Sequence, residues 1–317
     1  MEIKIIKNRS DIGAGTRGSD MGIDAMEIAA INKSSDYFYQ FDFEDVATEN
    51  ESIYNKVNNS FAKRIQSVLN QCIRLSNHVK VTLQKKNFPI VISGDHSSAL
   101  GTISGVKGAF PTKRVGVVWI DAHADLHSPY TSPSGNIHGM PLSAALGEDN
   151  LDYQINEIAR ETSELWERIK NIEIPVTKAL AEDVVYFGVR DIEDSEDQQI
   201  EKLGIKKYTV AEIRYRGLEK CVGEALKRLS ACDIMYISFD VDSMDCDMIS
   251  YGTGTPVTKG FDPYEIIAII NTLVESGKVV CIEFAEINPL LDSKGNKMAE
   301  TAFEILEEIT KAIQKSN

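Results

Sequence analysis

The chain has 317 residues, 43% hydrophobic and 26% charged, and its 48 acidic against 34 basic side chains leave a formal charge of −14. That balance argues against nucleic acid as a partner, since phosphates would be repelled, and is compatible with a cationic substrate or a divalent metal. No stretch approaches the roughly eighteen apolar residues of a membrane span, and the start of the chain does not read as a signal peptide. A chain of this length buries roughly three quarters of its unfolded surface, so its core needs no staples. Cys72, Cys221, Cys232, Cys246 and Cys281 are odd in number and show no CxxC spacing. They read as reduced thiols, mostly in the core, of a cytoplasmic protein.

In chain order, 3–6 reads as a first strand. Residues 12–22 hold four glycines but match neither dinucleotide nor Walker spacing, so they read as a tight loop into a helix at 23–30. A second strand is expected at 37–41 and an exposed polar stretch at 44–59. Phe61, Ile65, Val68, Leu69, Cys72 and Ile73 follow helical spacing, which predicts a long amphipathic helix over 60–85 with His78 at its boundary. A strand at 88–92 runs into Ser93-Gly-Asp-His-Ser97, where Ser97 is placed to cap the next helix. The run VGVVWI at 115–120 is apolar on both faces, as a strand inside a covered parallel sheet should be.

A loop at 127–136 leads to a helix near Met140. The charged stretch 151–170 is helix-prone, with Trp166 as its one large apolar anchor, and reads as a peripheral helix rather than a lid. Strands follow at 184–189 and 205–208, a helix at 210–229, and a strand at 234–239. Asp262-Pro263 opens a helix to about 276 with Gly277 as its C-cap. A last strand at 279–287 and a closing helix at 298–313 complete an α/β pattern of about eight strands, expected to form one domain over 1–317.

Four of the five histidines fall between 96 and 138. Asp121-Ala-His-Ala-Asp125 and Asp240-Val-Asp242 each terminate an apolar strand, and ligands in open α/β sheets bind at the carboxyl ends of strands. His96, Asp121, His123, Asp125, Asp240 and Asp242 exceed what one tetrahedral zinc needs. Four carboxylates and two imidazoles suit two five- or six-coordinate ions, Mn before Mg. Two ions sharing a water would make a hydroxide nucleophile, and so a hydrolase.

At these residues the sequence resembles the ureohydrolase family, its arginase branch most closely. The resemblance is carried by Ser93-Gly-Asp-His-Ser97, Asp121-Ala-His-Ala-Asp125, Ser134-Gly-Asn-Ile-His138-Gly139, Ser238-Phe-Asp-Val-Asp242, Gly252-Thr-Gly-Thr-Pro256 and Glu286-Ile-Asn-Pro289, in family order across nearly the whole chain. It implies a three-layer α/β/α sandwich with an eight-stranded, mainly parallel sheet. It implies two Mn2+ ions, a small guanidino substrate, no membrane or nucleic-acid partner, and a homotrimer or homohexamer. One ion would be held by His96, Asp121, Asp125 and Asp240, the other by His123, Asp121, Asp240 and Asp242.

The implied reaction is hydrolysis of L-arginine to urea and L-ornithine by a metal-bridging hydroxide. Asp125 would relay a proton to the leaving amine, His138 would shuttle protons, and Glu286 would pair with the guanidinium. Thr255 would line the pocket. Ser134 and Asn136 would hold the amino-acid end, and Glu193 and Glu196 would approach the α-amino group. His127 stands where many arginases have Asn, Glu193 where a shorter Asp is usual, and 245–251 departs from the usual Asp-Pro start. These departures keep agmatine or a guanidino acid open as substrates. A single-zinc deacylase of the same architecture is disfavoured by the complete second ligand set, and a non-catalytic scaffold by the absence of any missing ligand.

Overall fold

The computed structural model describes residues 2–175 and 177–316, so Met1, Val176 and Asn317, including both limits of the expected domain, lie outside the described residues. Eight strands form one sheet: β1 (Ile3–Asn8), β2 (Asp42–Asp45), β3 (Phe88–Ser93), β4 (Val115–Ile120), β5 (Val184–Phe187), β6 (Lys206–Tyr208), β7 (Ile234–Asp240) and β8 (Val279–Ala285). Their spatial order is β2-β1-β3-β8-β7-β4-β5-β6, and every pairing of these strands is parallel. Parallel pairing demands crossovers, and helices fill both faces.

Alternation along the strands builds two cores. Val117, Trp119 and Tyr236 face a layer containing helices Ile65–Gln84, Ala99–Ala109, Pro141–Leu146 and Arg160–Lys170. Val118, Ile120, Ile237 and Phe239 face the other layer, with helices Gly22–Asn32, Pro263–Val274 and Lys297–Ser316. The result is the expected three-layer α/β/α sandwich. β3, β8, β7 and β4 lie in the middle, so their carboxyl ends open on one shared crevice.

Several local expectations are corrected. Residues 37–41 are not a strand: Tyr37–Gln40 is a helical turn, and the strand is the polar Asp42–Asp45 beside β1. Tyr37 is drawn inward to pack on Phe303 and bond Thr310 Oγ1 at 2.7 Å, while an edge strand tolerates polar, exposed residues. The long helix starts at Ile65 rather than 60. Residues ahead of it bend against the 132–139 loop, where Lys63 N–H donates to Gly135 O at 2.8 Å.

Asp95, not Ser97, is the cap after β3: its carboxylate accepts the Ser97 N–H at 2.8 Å. The helix expected over 210–229 breaks at Gly217, whose φ of 94° no continuous helix allows, into Val210–Arg216 and Leu218–Arg228. Asp262 is the N-cap, as expected, and adds a reciprocal capping box with Glu265; the helix ends at Val274, with Glu275 rather than Gly277 as its C-cap and Gly277 at φ 70° just beyond.

Trp166 is buried against the Ile65–Gln84 layer and its indole N–H donates to Asp149 at 2.7 Å. Trp166→Ala is therefore expected to lower unfolding free energy by roughly 3–5 kcal/mol, read from a urea titration. A loss below about 1 kcal/mol would show that this helix is a detachable cover rather than part of the core.

Candidate metal centre and cleft

Three strand ends supply the centre. β3 runs into His96 through Gly94, where an added Cβ would lie 2.2 Å from Ser10 O, so only glycine fits. β4 delivers Asp121, His123 and Asp125, and β7 delivers Asp240 and Asp242. His96 Nδ1 lies 3.0 Å from Asp121, 2.8 Å from Asp125 and 3.1 Å from Asp240. His123 Nδ1 lies 3.0 Å from Asp242 and 3.5 Å from Asp121. His96, Asp121 and Asp240 thus form one group able to hold a metal ion, and Asp121, His123 and Asp242 a second, with Asp121 common to both.

The ligand atoms are held in place by the residues around them. His96 Nε2 is 2.7 Å from Ser238 Oγ, which turns Nδ1 toward the carboxylates, and the ring stacks on Trp119 at 4.4 Å. Asp121 accepts from the Trp119 indole at 3.0 Å and from His123 N–H at 2.7 Å. Asp240 accepts Asp242 N–H at 2.9 Å with one oxygen and faces His96 with the other. Asp242 accepts Ala122 N–H with one oxygen and the Thr255 hydroxyl at 3.0 Å with the other. Asp125 sits at φ 51°, a left-handed backbone that costs roughly 1–2 kcal/mol in a non-glycine residue.

The charge of this cage is not internally balanced. Burial, then repulsion from Asp242 and Asp121, pushes Asp240 well above the carboxylate range. Burial and Asp121 raise Asp125 to about 6. Burial alone would lower His96 and His123, but the facing carboxylates hold both imidazoles well above their ordinary value. His96 Nδ1 and Asp125 Oδ2 are buried, close together and without a properly directed hydrogen bond. Two unpartnered donor atoms, within a set of four carboxylates and two imidazoles, fit divalent cations.

The centre opens into a cleft of about 410 Å3 whose wall includes His127, Ser134, Asn136, His138, Glu193, Glu196 and Thr255. Ser134 is exposed at the rim and accepts Asn136 N–H at 3.1 Å. His127 Nε2 is 3.0 Å from Glu193 and 3.5 Å from Glu196. The bond to His127 lowers Glu193 to about 2, while burial raises Glu196 to about 8. Glu286 is not on the cleft wall. It is buried at φ 67°, with Oε1 accepting His96 N–H at 2.9 Å and 3.2 Å from His138 Nδ1. Despite burial, that contact raises His138 to about 9.

The glycine-rich segment 12–22 packs behind Asp95 and His138 rather than lining the cleft. Gly13 O accepts His138 N–H at 3.2 Å, and Gly13 N–H donates to Asp95 at 2.9 Å. Sequence reasoning missed Ser238, Trp119 and Arg190. The guanidinium of Arg190, just past β5, donates to the carbonyls of Gly188, Asp242, Ser243, Met244, Val257 and Thr258. The available signal was polar residues inside or directly after apolar runs. His78 pairs with Glu44 away from the cleft.

Residues 2–311 match the arginase family. The chain is 37% identical over 309 residues to an arginase of Bacillus subtilis (strain 168), covering 97% of each chain. It superposes on the native structure of the arginase from Bacillus caldovelox with a TM-score of 0.83 at 32% identity, covering 97% of each chain. The arginase structure from Bacillus cereus gives 0.82 at 31% identity, covering 98% of each.

Two outcomes are expected. Adding a divalent ion to chelator-stripped protein should raise its melting temperature by roughly 5 °C or more, because bound ions offset the carboxylate repulsion; an unmoved melt would mean that the cage holds no ion. In the stripped protein, His138 binds its proton more tightly when folded, about 9 against an ordinary 6.5. Its stabilisation, on the order of 3 kcal/mol, is therefore complete below pH 6.5 and is lost as pH rises through 9. His138→Asn should remove that share of the fall in urea midpoint between about pH 6 and pH 9.5. An identical fall in the variant would assign it elsewhere.

Proposed function

The chain belongs to the arginase family, and from that premise we propose that it hydrolyses the guanidino group of L-arginine to urea and L-ornithine at a pair of manganese ions. The observation that carries this reading is the buried, electrostatically unbalanced cage at the carboxyl ends of β3, β4 and β7, opening on a cleft of about 410 Å3. His96, Asp121, Asp125 and Asp240 would hold one ion, and His123, Asp121, Asp240 and Asp242 the other. When bound, such a pair lowers the pKa of a shared water toward neutrality and so supplies the nucleophile.

The chain's own groups handle charge and protons. Asp125, whose Oδ2 is buried without a properly directed hydrogen bond, would take a proton there and hand it to the leaving amine. His138 lines the cleft and touches Glu286, so it can pass protons between solvent and the buried carboxylates. Glu286, behind the cleft wall and held ionised by His138 and the His96 N–H despite its burial, would favour a guanidinium through its negative charge. Thr255 steadies Asp242. Ser134 and Asn136 at the rim, with His127, Glu193 and Glu196 on the wall, would receive the amino-acid end.

A second reading, another guanidino compound such as agmatine or a guanidino acid, rests on His127 and Glu193 standing where many arginases have Asn and Asp; the two meet on the wall at 3.0 Å. The described residues include no helix long and apolar enough to cross a membrane. The five cysteines are free and buried, in keeping with a reducing, cytoplasmic setting. One continuous sheet supports a single domain over 1–317. Exposed apolar residues such as Ile31 and Tyr215 leave room for the proposed homotrimer or homohexamer.

Urea release from arginine, agmatine and a guanidino acid, measured on Mn-loaded protein, decides between the substrates. Arginine is expected to lead in kcat/KM by roughly tenfold or more. Equal turnover of agmatine would replace the first reading with the second.

A further inference from the structure

A third group of donors stands on the cleft wall, apart from the paired centre. His127 Nε2, Glu193 Oε2 and Glu196 Oε2 all lie within 4.8 Å of one another, with 3.0 Å and 3.5 Å from the imidazole to the two carboxylates. Donors bound at about 2.1 Å to a tetrahedral ion stand roughly 3.4 Å apart, so the spacing already matches.

The orientation of the imidazole comes from outside the group. His127 Nδ1 is 3.1 Å from Thr131 Oγ1, and His127 N–H is fixed on Gly139 O at 3.0 Å. One ring nitrogen held by a hydroxyl and the other facing carboxylates is the arrangement of His96, with Ser238 in the place of Thr131. Glu196 is likewise held: Oε1 accepts Leu126 N–H at 3.0 Å, and Oε2 accepts Glu193 N–H at 3.3 Å while lying 3.5 Å from His127. Both residues are buried, at 7% and 4% exposure, whereas Glu193 is exposed and shares a reciprocal capping box with Glu196 at the start of helix Asp194–Leu203. Three donors from two segments thus come together on the cleft wall, where an ion could reach them.

We propose that His127, Glu193 and Glu196 form a third cation site, taking a transition ion of the Zn2+ class, whose occupancy closes the cleft to the amino-acid end of the substrate. One imidazole and two carboxylates favour such an ion over Mg2+ or Ca2+, which prefer all-oxygen shells. An ion here places positive charge where a cationic amino group would dock. That regulatory half rests on the arginine reading; the site itself does not.

The test is ion counting on Mn-loaded protein titrated with Zn2+ and desalted. The expected result is two Mn and one Zn per chain. His127→Asn should weaken the third ion by at least roughly tenfold, and Glu196→Gln gives the same comparison should that variant fail to fold. A total that stays at two, with Zn displacing Mn, overturns the site, as does a third ion retained at wild-type affinity in the variants. At fixed Mn, Zn2+ should raise KM for arginine with kcat unchanged; a fall in kcat alone overturns the blocking role. If arginine is not turned over, the substrate assignment fails while the ion count still judges the site.

Discussion

Like-charge repulsion in a dry place governs this molecule. Four carboxylates from β4 and β7 are driven together beneath the crevice, with two imidazoles that cannot neutralise all of them. Leaving such groups uncompensated costs several kcal/mol each, far more than any single surface contact returns. The protein holds the arrangement by committing one oxygen of Asp240 and one of Asp242 to a backbone N–H and by stacking His96 on Trp119. The sheet makes this rigidity possible, since β3, β8, β7 and β4 are hydrogen-bonded neighbours at its centre.

Much of this was legible in the chain. VGVVWI and IMYISF are apolar on both faces, which only a covered parallel strand explains, and acidic residues directly after each announce the crevice. What was not legible depended on tertiary competition. Residues 37–41 look like a strand, but Tyr37 gains more by packing on Phe303, and the pairing passes to the polar segment beyond. Ser97 is a good cap in isolation, yet Asp95, two residues earlier, reaches its N–H first. The supports were hardest to see. Ser238 is one hydroxyl inside an apolar strand, and nothing local says that it meets a histidine 142 residues away.

The cleft wall shows the same logic on a smaller scale. His127 and Thr131 repeat the orientation of His96 and Ser238, and Glu196 is pinned by the backbone of Leu126. Only Glu193 is exposed, at the N-terminus of helix Asp194–Leu203. The chemistry of the inner centre is thus fixed by buried strands, while the character of the outer wall is set by a helix start that can vary at little cost to the core.

Arg190 joins the two. Its guanidinium gathers six carbonyls, from the turn after β5 and from the segments after Asp242 and around Val257. Glu193 and Glu196 lie three and six residues further along that same strand exit. One planar cation therefore acts as a tie rod between the strand exit that leads to the outer helix and the backbone carrying Asp242. Wall and floor thus share one anchor, and exchanging a side chain on the wall leaves that anchor intact, whereas shifting the loop would break it.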